Sequence, residues 1–526
     1  MTIQSVLIGG QWRAAKASGT FHAENPATGE RLPDAYPISA WEDCDAALDA
    51  AAGAVAGMRA AGAAAIADFL ARFAGRIEAV AGELVEMAHA ETGLPEKPRL
   101  ADVELPRTTG QLRQAAAAAL DGSWALPTID TKLNLRSCYE AIGPVCVFGP
   151  NNFPFAFNSA AGGDFAAAIA AGNPVIAKAH PSHPGTTRIF AREAAIALAE
   201  GGLPAAAVQM LYNIANEDGL RLVADARNAA LGFTGSRRAG LALKAAADAA
   251  GKPAYLEMSS LNPVVILPGA LSERGAEIAG EYAGSCLAAS GQMCTKPGIA
   301  LLFAGADAEA FVEAVKQKFD SAAVAPLLGA GVARSLGENV KLIEGAGGRL
   351  VTGGSALAGP GYRFANTLLA VSGAQFLAAP EKLQTEAFGN ATLCVMVDDE
   401  AQAAEVLSQF GGNLTGSIYS DTRGGDDARY AELAPLLRAR VGRLLNDKMP
   451  TGVAVNAAMN HGGPYPATGH AGFTAVGIPG SMRRFAMLAC YDNVRQARLP
   501  EILRDPSPAG RPMRLIDGQW TRDDAQ

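Results

Sequence analysis

The region from residue 140 to residue 270 alternates short apolar runs with longer alanine-rich segments, and this alternation constrains the fold most strongly. The apolar runs predict buried strands, and the segments between them carry apolar residues at helical spacing. We expect strands at 143–149, 174–177, 208–211 and 229–233, and helices at 186–199, 218–225 and 238–250. Strands that alternate with helices form βαβ units, so the pattern predicts a parallel, doubly wound sheet.

The sequence outside this region predicts a second α/β unit and a helical segment. A further alternation from 264 to about 418 predicts another parallel sheet. Its strands are expected near 264–267, 300–303 and 392–397. Residues 40–120 are rich in Ala, Leu, Glu and Arg and predict long helices, whereas the alternation within 131–147 predicts a strand pair. The prolines after Leu499 predict an irregular surface extension.

The composition is that of an ordinary globular protein of two or three domains. The chain has 526 residues, of which 49% are hydrophobic and 18% charged, and its formal net charge is −8. This charge, without any Lys/Arg run, argues against a nucleic-acid partner. No apolar stretch approaches the ~20 residues of a membrane span, and residues 1–6 lack the features of a secretory signal. We therefore expect no nucleic-acid and no membrane partner.

The cysteines indicate a reducing compartment. The seven lie at Cys44, Cys138, Cys146, Cys286, Cys294, Cys394 and Cys490. They are odd in number and lack CxxC spacing, which is typical of reduced thiols in a cytoplasmic enzyme and offers no metal site. We therefore expect a cytoplasmic protein with free thiols and no metal.

One of these thiols, Cys294, lies in the polar run 290–298 between two apolar segments. A break between elements can present a side chain to a cleft, and backbone N–H groups near a helix end can lower the pKa of a thiol. A lone cysteine is more often a buried structural residue. This segment alone leaves both interpretations open.

Three strands of the first α/β region are followed by residues suited to a ligand. Gly235 and Ser236 stand between an apolar strand and a helix, where backbone N–H groups attract phosphate, although Ser236 could simply cap the helix. Lys178 ends another strand, at the edge where open α/β sheets bind ligands, and could equally be solvated. Asn152, in a proline-containing loop, could donate a hydrogen bond to an oxyanion or only to the local backbone.

Two carboxylates stand near apolar strands. Glu257 ends an apolar run, so it could activate a water molecule beside a thiol, or it could be a surface acid. Glu386 precedes the strand expected at 392–397. It could hold sugar hydroxyls, with Phe388 as an aromatic wall beside them.

In this order and combination, the segments resemble the aldehyde dehydrogenase superfamily over nearly the whole chain. They are Asn-Phe-Pro from Asn152, the strand-end Lys178, Phe-Thr-Gly-Ser ending at Ser236, Leu-Glu-Met-Ser-Ser around Glu257, Gly-Gln-x-Cys-Thr around Cys294 and Glu-x-Phe-Gly from Glu386. The resemblance implies that Cys294 attacks an aldehyde to give a thiohemiacetal. It also implies that Asn152 and the N–H of Cys294 stabilise the oxyanion, and that Glu257 activates the water that hydrolyses the thioester.

The resemblance further implies a nicotinamide cofactor and no metal. Glu386, beside Phe388, would hold the nicotinamide ribose. Lys178 would meet the adenosine ribose, and Ser236, after Gly235, would meet the pyrophosphate.

The fold that the resemblance implies has two doubly wound parallel α/β domains and a bridging β-arm for oligomerisation. Its parts would be a cofactor domain (1–122 and 142–260), a catalytic domain (261–474), the arm (123–141 and 475–495) and a C-terminal extension (496–526). Such an arm implies a homodimer or homotetramer.

Segments 256–263, 294–298, 461–468 and 107–113 resemble one branch of the family, which contains 2-oxoglutarate semialdehyde (2,5-dioxopentanoate) dehydrogenases. The resemblance implies oxidation of that small aldehyde to 2-oxoglutarate. The alternatives are a broader fatty or aromatic aldehyde dehydrogenase of the same branch, a CoA-acylating relative and a non-catalytic relative. A CoA-acylating relative usually lacks an acid at the position of Glu257.

The segment after Lys178 favours NADP over NAD. Many NAD-preferring relatives carry a Glu three positions after the strand-end lysine, whose charge would repel a 2′-phosphate. Here that position is a proline, and Lys178, His180 and Ser182 could receive the phosphate instead. Use of both cofactors is compatible with the sequence, and His180 and His183 could also be plain surface residues of a loop.

A substrate with a 2-oxo acid end predicts a cation near the thiol. Arg107 and Arg113 lie on one predicted helix but on different faces, so at most one of them is expected to reach the substrate. Either could equally be a solvated helix residue. Phe153 and Phe157 could form an apolar wall for the substrate, although core packing would explain them as well.

Overall fold

The computed structural model describes residues 3–525, and in it the first alternating region forms the predicted parallel sheet. This first sheet has seven strands, and its pairings are parallel except for the two made by Val6–Ile8, which pairs antiparallel with Val208–Leu211 and with Gln11–Arg13. In spatial order the strands are Ala254–Glu257, Ala230–Thr234, Val145–Phe148, Val175–Lys178, Val208–Leu211, Val6–Ile8 and Gln11–Arg13. The three predicted helices are found at Pro184–Glu200, Asn216–Ala224 and Arg237–Ala249.

The second alternating region also forms a seven-stranded sheet, parallel except at one edge. Its strands, in spatial order, are Arg349–Thr352, Thr367–Ser372, Ala391–Val397, Ile299–Phe303, Val264–Ile266, Asn413–Tyr419 and Val441–Asn446. The helices of this unit are Pro268–Leu287, Ala306–Ser321, Ala330–Gly345, Gly373–Ala378, Pro380–Leu383, Glu400–Gln409 and Asp427–Arg438. The predicted fold class, two doubly wound α/β units, is therefore confirmed.

The helices predicted for 40–120 are present. They are Trp41–Ala79, Ala81–Thr92 and Leu105–Asp121, with the π-helix Glu96–Glu104 before the third; a shorter helix, Gly163–Ala170, follows later in the chain. By length and hydropathy alone, Trp41–Ala79 could cross a membrane. Gly62 interrupts its helical geometry (φ 74, ψ −178), and Phe69 and Phe73 are fully buried. One side of this helix is thus part of the protein's own core.

The strand pair predicted within 131–147 is wrong in its pairing. Leu135–Ala141 and Val145–Phe148 are both strands, but they belong to different sheets. Leu135–Ala141 pairs antiparallel with Thr128–Asp130 and with Ala486–Asp492. Gly143, with φ 123, redirects the chain between the two sheets. The polar–apolar alternation does not predict this change of direction.

The tail after Leu499 is only partly irregular, because it ends in a short hairpin that the prediction from its prolines did not include. Arg514–Ile516 and Gln519–Thr521 form a hairpin that pairs with Thr128–Asp130 and extends the arm to a five-stranded sheet. Arg514 is fully buried and donates hydrogen bonds to the backbone carbonyls of Arg504, Asp505 and Asp523. A buried guanidinium satisfied by backbone oxygens holds the tail in place. A small separate sheet is formed by Ala17–Asn25, Glu30–Ser39 and Asn213–Ile214.

Candidate active site

A cavity of about 760 Å³ lies along the carboxyl edge of the first sheet. Parallel strands bring their carboxyl ends to the same edge, so residues that are distant in sequence meet there. Gly149, Lys178, Gly235 and Glu257 end or follow four of these strands, and all line the cavity. Cys294, which belongs to the second α/β unit, lines it as well. The cavity therefore lies between the two units.

The backbone leading to Cys294 is left-handed at three successive residues, of which two are strained. Ala289, Ser290 and Gly291 have φ values of 50, 54 and 68, a left-handed region that costs energy for Ala and Ser. Gly291 cannot carry a side chain, because a Cβ there would lie 2.1 Å from the backbone oxygen of Gly389. The segment that carries the thiol therefore packs closely against the loop that includes Gly389.

One buried side chain holds the turn at the thiol. Asn262 Nδ2 donates to the carbonyl oxygens of Cys294 and Lys296, both at 2.9 Å. Asn262 itself has φ 49, which asparagine tolerates, and its Oδ1 accepts hydrogen bonds from the hydroxyls of Ser260 and Thr415. This polar network fixes the direction in which the Cys294 side chain points.

Cys294 and Glu257 are bridged by His461, which was not predicted as a site residue. His461 Nε2 lies 3.4 Å from Sγ of Cys294 and 2.9 Å from Oε1 of Glu257. Glu257 and His461 are each only 1% exposed, whereas Cys294 is half-buried. The backbone N–H of His461 donates to Oγ1 of Thr474, which fixes the histidine's position. A thiol, an imidazole and a carboxylate therefore form one contiguous cluster.

The thiol is held in its protonated form by this environment. Burial, and then the negative charge of Glu257, raise the pKa of Cys294 well above its ordinary value, and the guanidinium of Arg107 acts in the opposite direction. The thiolate is the nucleophilic form, so the proton must leave as the sulfur attacks. The Glu257 carboxylate, with an oxygen within 4.8 Å of Sγ, can receive that proton, because Nε2 of His461 donates its own hydrogen to Oε1 of Glu257.

Asn152 lies directly beside the segment that carries the thiol. Its Nδ2 donates to the backbone carbonyl of Gln292 at 2.9 Å, and its side chain lines the large cavity. Nη2 of Arg99 donates to the backbone carbonyl of Asn152 at 3.0 Å and so holds the loop. Because a side-chain amide has two N–H groups, one remains for a ligand.

A second, smaller cavity of about 100 Å³ also reaches Cys294. Phe153 and Phe157, 8% and 7% exposed, form an aromatic wall with ring centroids 5.3 Å apart. Arg107 and Arg99 line the same cavity. The three predicted substrate-side residues, Arg107, Phe153 and Phe157, are therefore brought together beside the thiol.

Of the two arginines considered from the sequence, only Arg107 lines this cavity. Its guanidinium lies 5.6 Å from the centroid of the Phe157 ring and donates to the backbone carbonyl of Val453. Nε of Arg107 has no hydrogen-bond partner, and the guanidinium takes part in no salt bridge with residues 3–525. Arg113 instead forms an exposed bidentate pair with Glu78, at 2.5 and 2.7 Å. Arg107 is thus a partly buried cation without a direct ion-pair partner among the described residues.

Arg99 was not predicted, and a buried acid positions it. Its guanidinium lies 4.4 Å from the centroid of the Phe153 ring. Glu104, which is fully buried, pairs with Arg99 at 2.5 Å and accepts the backbone N–H groups of Phe155 and Ala156. Glu104 therefore holds the arginine and the loop after Asn152 at the same time.

In the large cavity, Lys178 and His180 line the wall, but Ser182 is not among the lining residues. Burial lowers the pKa of Lys178 to about 8 and lowers that of His180 well below its ordinary value. Ser182 donates its backbone N–H to Nδ1 of His180 at 3.1 Å. Its predicted contact with a cofactor phosphate is therefore not supported. His183 is no surface residue: it is buried, with Nε2 2.8 Å from the carbonyl oxygen of Pro150.

The other predicted cofactor residues, Gly235, Ser236, Glu386 and Phe388, all line the large cavity. Ser236 is at the same time the N-cap of helix Arg237–Ala249, since its Oγ accepts the N–H of Ala239 at 3.3 Å. Oε1 of Glu386 accepts the backbone N–H of Ser260 at 3.4 Å. Burial raises the pKa of the Glu386 carboxyl above its ordinary value.

Two residues of the site escaped the sequence analysis for different reasons. His461 begins the segment 461–468, which was noted only for its resemblance, and a search of that segment for titratable groups would have found it. Arg99 gives no such signal, because only folding brings its π-helix to Phe153.

Comparison with known proteins finds matches over most of the chain. The model of the aldehyde dehydrogenase family matches residues 12–458. The chain is 39% identical to alpha-ketoglutaric semialdehyde dehydrogenase 2 of Azospirillum brasilense, over 98% of each chain. It is 36% identical to alpha-ketoglutaric semialdehyde dehydrogenase of Acinetobacter baylyi, over 86% of this chain and 87% of the other.

Solved structures share the fold at lower sequence identity. A 1-pyrroline-5-carboxylate dehydrogenase from Thermus, solved with bound NAD, superimposes with a TM-score of 0.79 at 23% identity, over 93% of this chain and 92% of that one. The NAD+ complex of an aldehyde dehydrogenase from Bacillus cereus gives a TM-score of 0.81 at 19% identity, over 93% and 96%. The chain therefore belongs to the aldehyde dehydrogenase family.

Proposed function

We propose that this aldehyde dehydrogenase oxidises a short aldehyde that ends in a carboxylate, and that the substrate is 2-oxoglutarate semialdehyde. The small cavity at Cys294 carries the proposal, because about 100 Å³ suits a short molecule and not a long chain. Arg107 supplies positive charge to its wall, whereas Arg99 there is already paired with Glu104, and the charge of Arg107 favours a carboxylate. The names of the relatives at 39% and 36% identity support the same substrate.

In the first step, Sγ of Cys294 adds to the aldehyde carbon. The thiol proton passes to the Glu257 carboxylate, which has an oxygen within 4.8 Å of Sγ, and from there to solvent in the large cavity, while the Nε2–H of His461 holds the carboxylate in place. The carbonyl oxygen becomes an oxyanion, which the free N–H of Asn152 Nδ2 and the backbone N–H of Cys294 stabilise. The product is a thiohemiacetal bonded to Cys294.

The large cavity suits a dinucleotide cofactor. The start of helix Arg237–Ala249 offers backbone N–H groups to phosphates, and the Glu386 carboxylate can accept ribose hydroxyls. A bound nicotinamide supplies the acceptor for the hydrogen and electron pair that leave the thiohemiacetal carbon. This leaves a thioester on Cys294.

Hydrolysis of the thioester requires a base. Oε2 of Glu257 has no hydrogen-bond partner although it is buried, and Glu257 lines the large cavity beside Cys294. It can accept a proton from a water molecule that attacks the thioester carbon. The C–S bond then breaks, the carboxylic acid leaves and the thiol is regenerated. No step of this reaction requires a metal ion.

The charges around the large cavity favour NADP. Glu257 and Glu386 are the only carboxylates among its lining residues within 3–525, and both belong to the reacting end in this proposal. Lys178, His180 and Arg238 also line it, and no acid near Lys178 would repel a 2′-phosphate. A steady-state comparison of NADP with NAD tests this preference. Efficiency at least about tenfold higher with NAD would correspond to about 1.4 kcal/mol and overturn it.

Substrate profiling tests the proposed aldehyde against the alternatives. We expect kcat/KM for 2,5-dioxopentanoate to exceed that for glutaraldehyde, which lacks the carboxylate, and that for octanal and benzaldehyde. The highest efficiency with octanal or benzaldehyde would support the broader dehydrogenase instead. Product formation that requires coenzyme A would support the acylating alternative, and no NADPH formation with any aldehyde would support a non-catalytic relative.

We also propose that the arm joins two copies of the chain. Ala486–Asp492 is the outer strand of the five-stranded sheet, and Met487 and Leu488 on it are 52% and 60% exposed. An exposed apolar edge strand is suited to pairing with another strand. Light scattering should give a dimer, or a tetramer made of two dimers, for the wild type and a smaller species for Leu488→Lys. A monomeric wild type would contradict this.

The free cysteines support a reducing, cytoplasmic location. All seven are unpaired, although Cys490 is exposed. An exposed thiol persists where the compartment keeps it reduced. Fractionation of cells that produce the protein tests this, and recovery from the periplasm or the medium would contradict it.

A further inference from the structure

The cluster at the thiol has the composition of a metal site. One ligand atom each from Glu257, Cys294 and His461 lies within 4.8 Å of the other two. Thiolate sulfur, imidazole nitrogen and carboxylate oxygen are the three donor types that zinc prefers in proteins. A site with three protein ligands keeps one position open for water or another small molecule.

The distances in this cluster agree with tetrahedral zinc. Bond lengths of about 2.3 Å to sulfur and about 2.0–2.2 Å to nitrogen and oxygen place the ligands of tetrahedral zinc about 3.3–3.6 Å apart. Sγ of Cys294 and Nε2 of His461 are already 3.4 Å apart. Nε2 and Oε1 of Glu257 are 2.9 Å apart, and a carboxylate oxygen of Glu257 lies within 4.8 Å of Sγ, so rotation of the Glu257 side chain has to adjust both of these distances when a cation binds.

The ligand atoms are also oriented toward one another, and a cation can reach them from the cavities. The Glu257 carboxylate has its other oxygen, Oε2, buried without a hydrogen-bond partner. His461 directs Nε2, and not Nδ1, toward both other ligands. Cys294 lines both cavities, so a cation can reach it from either side.

We propose that Glu257, Cys294 and His461 form an inhibitory binding site for a thiophilic divalent cation such as zinc. On binding, the S–H bond of Cys294 breaks, its proton goes to solvent and the thiolate coordinates the cation, without any change of oxidation state. The hydrogen on Nε2 of His461 is exchanged for one on Nδ1, which leaves the Nε2 lone pair for the cation. The sulfur is then unavailable to an aldehyde, and the carboxylate is unavailable to water. The cation therefore blocks the enzyme reversibly, and this holds whichever aldehyde is the substrate.

Cobalt(II) reports on this site without any activity measurement. Cobalt(II) occupies zinc sites and gives a near-ultraviolet charge-transfer band when a thiolate coordinates it. The titration is done on chelator-treated full-length protein carrying Cys490→Ser, which removes the exposed thiol. We expect one cobalt per chain, a charge-transfer band, and displacement of the cobalt by zinc. A band that persists after Cys294→Ser would overturn the proposal, and so would an absence of saturable binding.

Variants of His461 and Glu257 show whether cobalt binds to all three residues or to the Cys294 thiol alone. His461→Gln and Glu257→Gln should each weaken cobalt binding by at least about tenfold, since losing even an outer partner of a metal ligand costs that much. His470→Gln is the matched control, because His470 is exposed and its ring packs against Tyr255 outside the cluster. Equal affinity in wild type and His461→Gln would contradict the proposal.

Two further measurements distinguish cation binding from misfolding of a variant and from irreversible inactivation of the enzyme. Zinc should raise the Tm of the wild type and of His470→Gln but not that of His461→Gln, because a cation that binds only the folded state stabilises it. Inhibition by zinc should be reversed by EDTA. Irreversible loss of activity, or a Tm shift shared by His461→Gln, would count against a site at this cluster.

Discussion

The two cavities that meet at Cys294 are built in different ways. The wall of the large one, about 760 Å³, includes residues such as Lys178 and Gly235 that stand at the ends of parallel strands. The small one, about 100 Å³, is enclosed by Arg99 and Arg107 from helical segments and by loop residues from distant parts of the chain. The sheet topology therefore dictates the first cavity, whereas the second depends on how separate segments pack.

This difference separates the residues expected to serve every substrate from those expected to select one aldehyde. Residues at strand ends serve any substrate, because the fold itself brings them together around a cofactor. Residues in helices and loops can change without disturbing the sheet, so they set which aldehyde is accepted. Cys294 belongs to both cavities, and variants confined to one cavity should affect only its own function.

The largest effect is expected from the residue that the two cavities share. Cys294→Ala should lower kcat for aldehyde oxidation by at least about 10⁴-fold, as loss of a covalent nucleophile does, while cofactor affinity measured by fluorescence stays within threefold. Cys490→Ala, which removes an exposed thiol on the arm, should leave both quantities unchanged. Residual oxidation near the wild-type rate in Cys294→Ala would refute the nucleophile.

A smaller loss is expected from the proposed oxyanion donor. Asn152→Ala removes Nδ2, which lies beside the Cys294 segment, and should lower kcat by about 10²–10³-fold, as removal of one oxyanion donor does elsewhere. The KM for the cofactor should change little. Stopped-flow absorbance of the first turnover shows whether the chemical step is affected. An unchanged first turnover would assign Asn152 a purely structural role.

The smallest effect concerns the large cavity alone. Burial lowers the pKa of Lys178 to about 8, so the lysine is charged below that pH and loses its charge as pH rises above it. If the ammonium holds the 2′-phosphate, KM for NADP should rise about fivefold between pH 8 and pH 9, because the protonated fraction of Lys178 falls from about one half to about one eleventh. Lys178→Met should show a high KM for NADP that does not respond to pH. A pH-independent wild-type KM would exclude this role.

The large cavity could be predicted from the sequence because its residues follow strands. Lys178, Gly235 and Glu257 each stand where an apolar run ends, and a doubly wound sheet brings such positions to one edge. Ser182 shows the limit of this reasoning. It is four residues beyond a strand end, and the local turn directs its N–H to His180 and not its hydroxyl into the cavity.

The small cavity could not be predicted as a whole. Arg99 and His461 are separated by most of the chain and meet at Phe153 and Cys294 only after folding. The tail hairpin was missed for a similar reason, because it depends on the burial of Arg514 and not on a local pattern. Local periodicity carries information on strands and helices, but it carries none on which distant side chains satisfy one another.

The central claim is that Arg107 selects a carboxylate-bearing aldehyde at the thiol. The most direct test compares kcat/KM for 2,5-dioxopentanoate with that for pentanal, which has the same chain length and no charge, in wild type, Arg107→Met and Arg113→Met. We predict that the ratio of the two efficiencies falls about 10–100-fold in Arg107→Met, the range expected for a lost charged hydrogen bond, and is unchanged in Arg113→Met. An unchanged ratio in Arg107→Met, or an equal loss with both aldehydes, would contradict the claim.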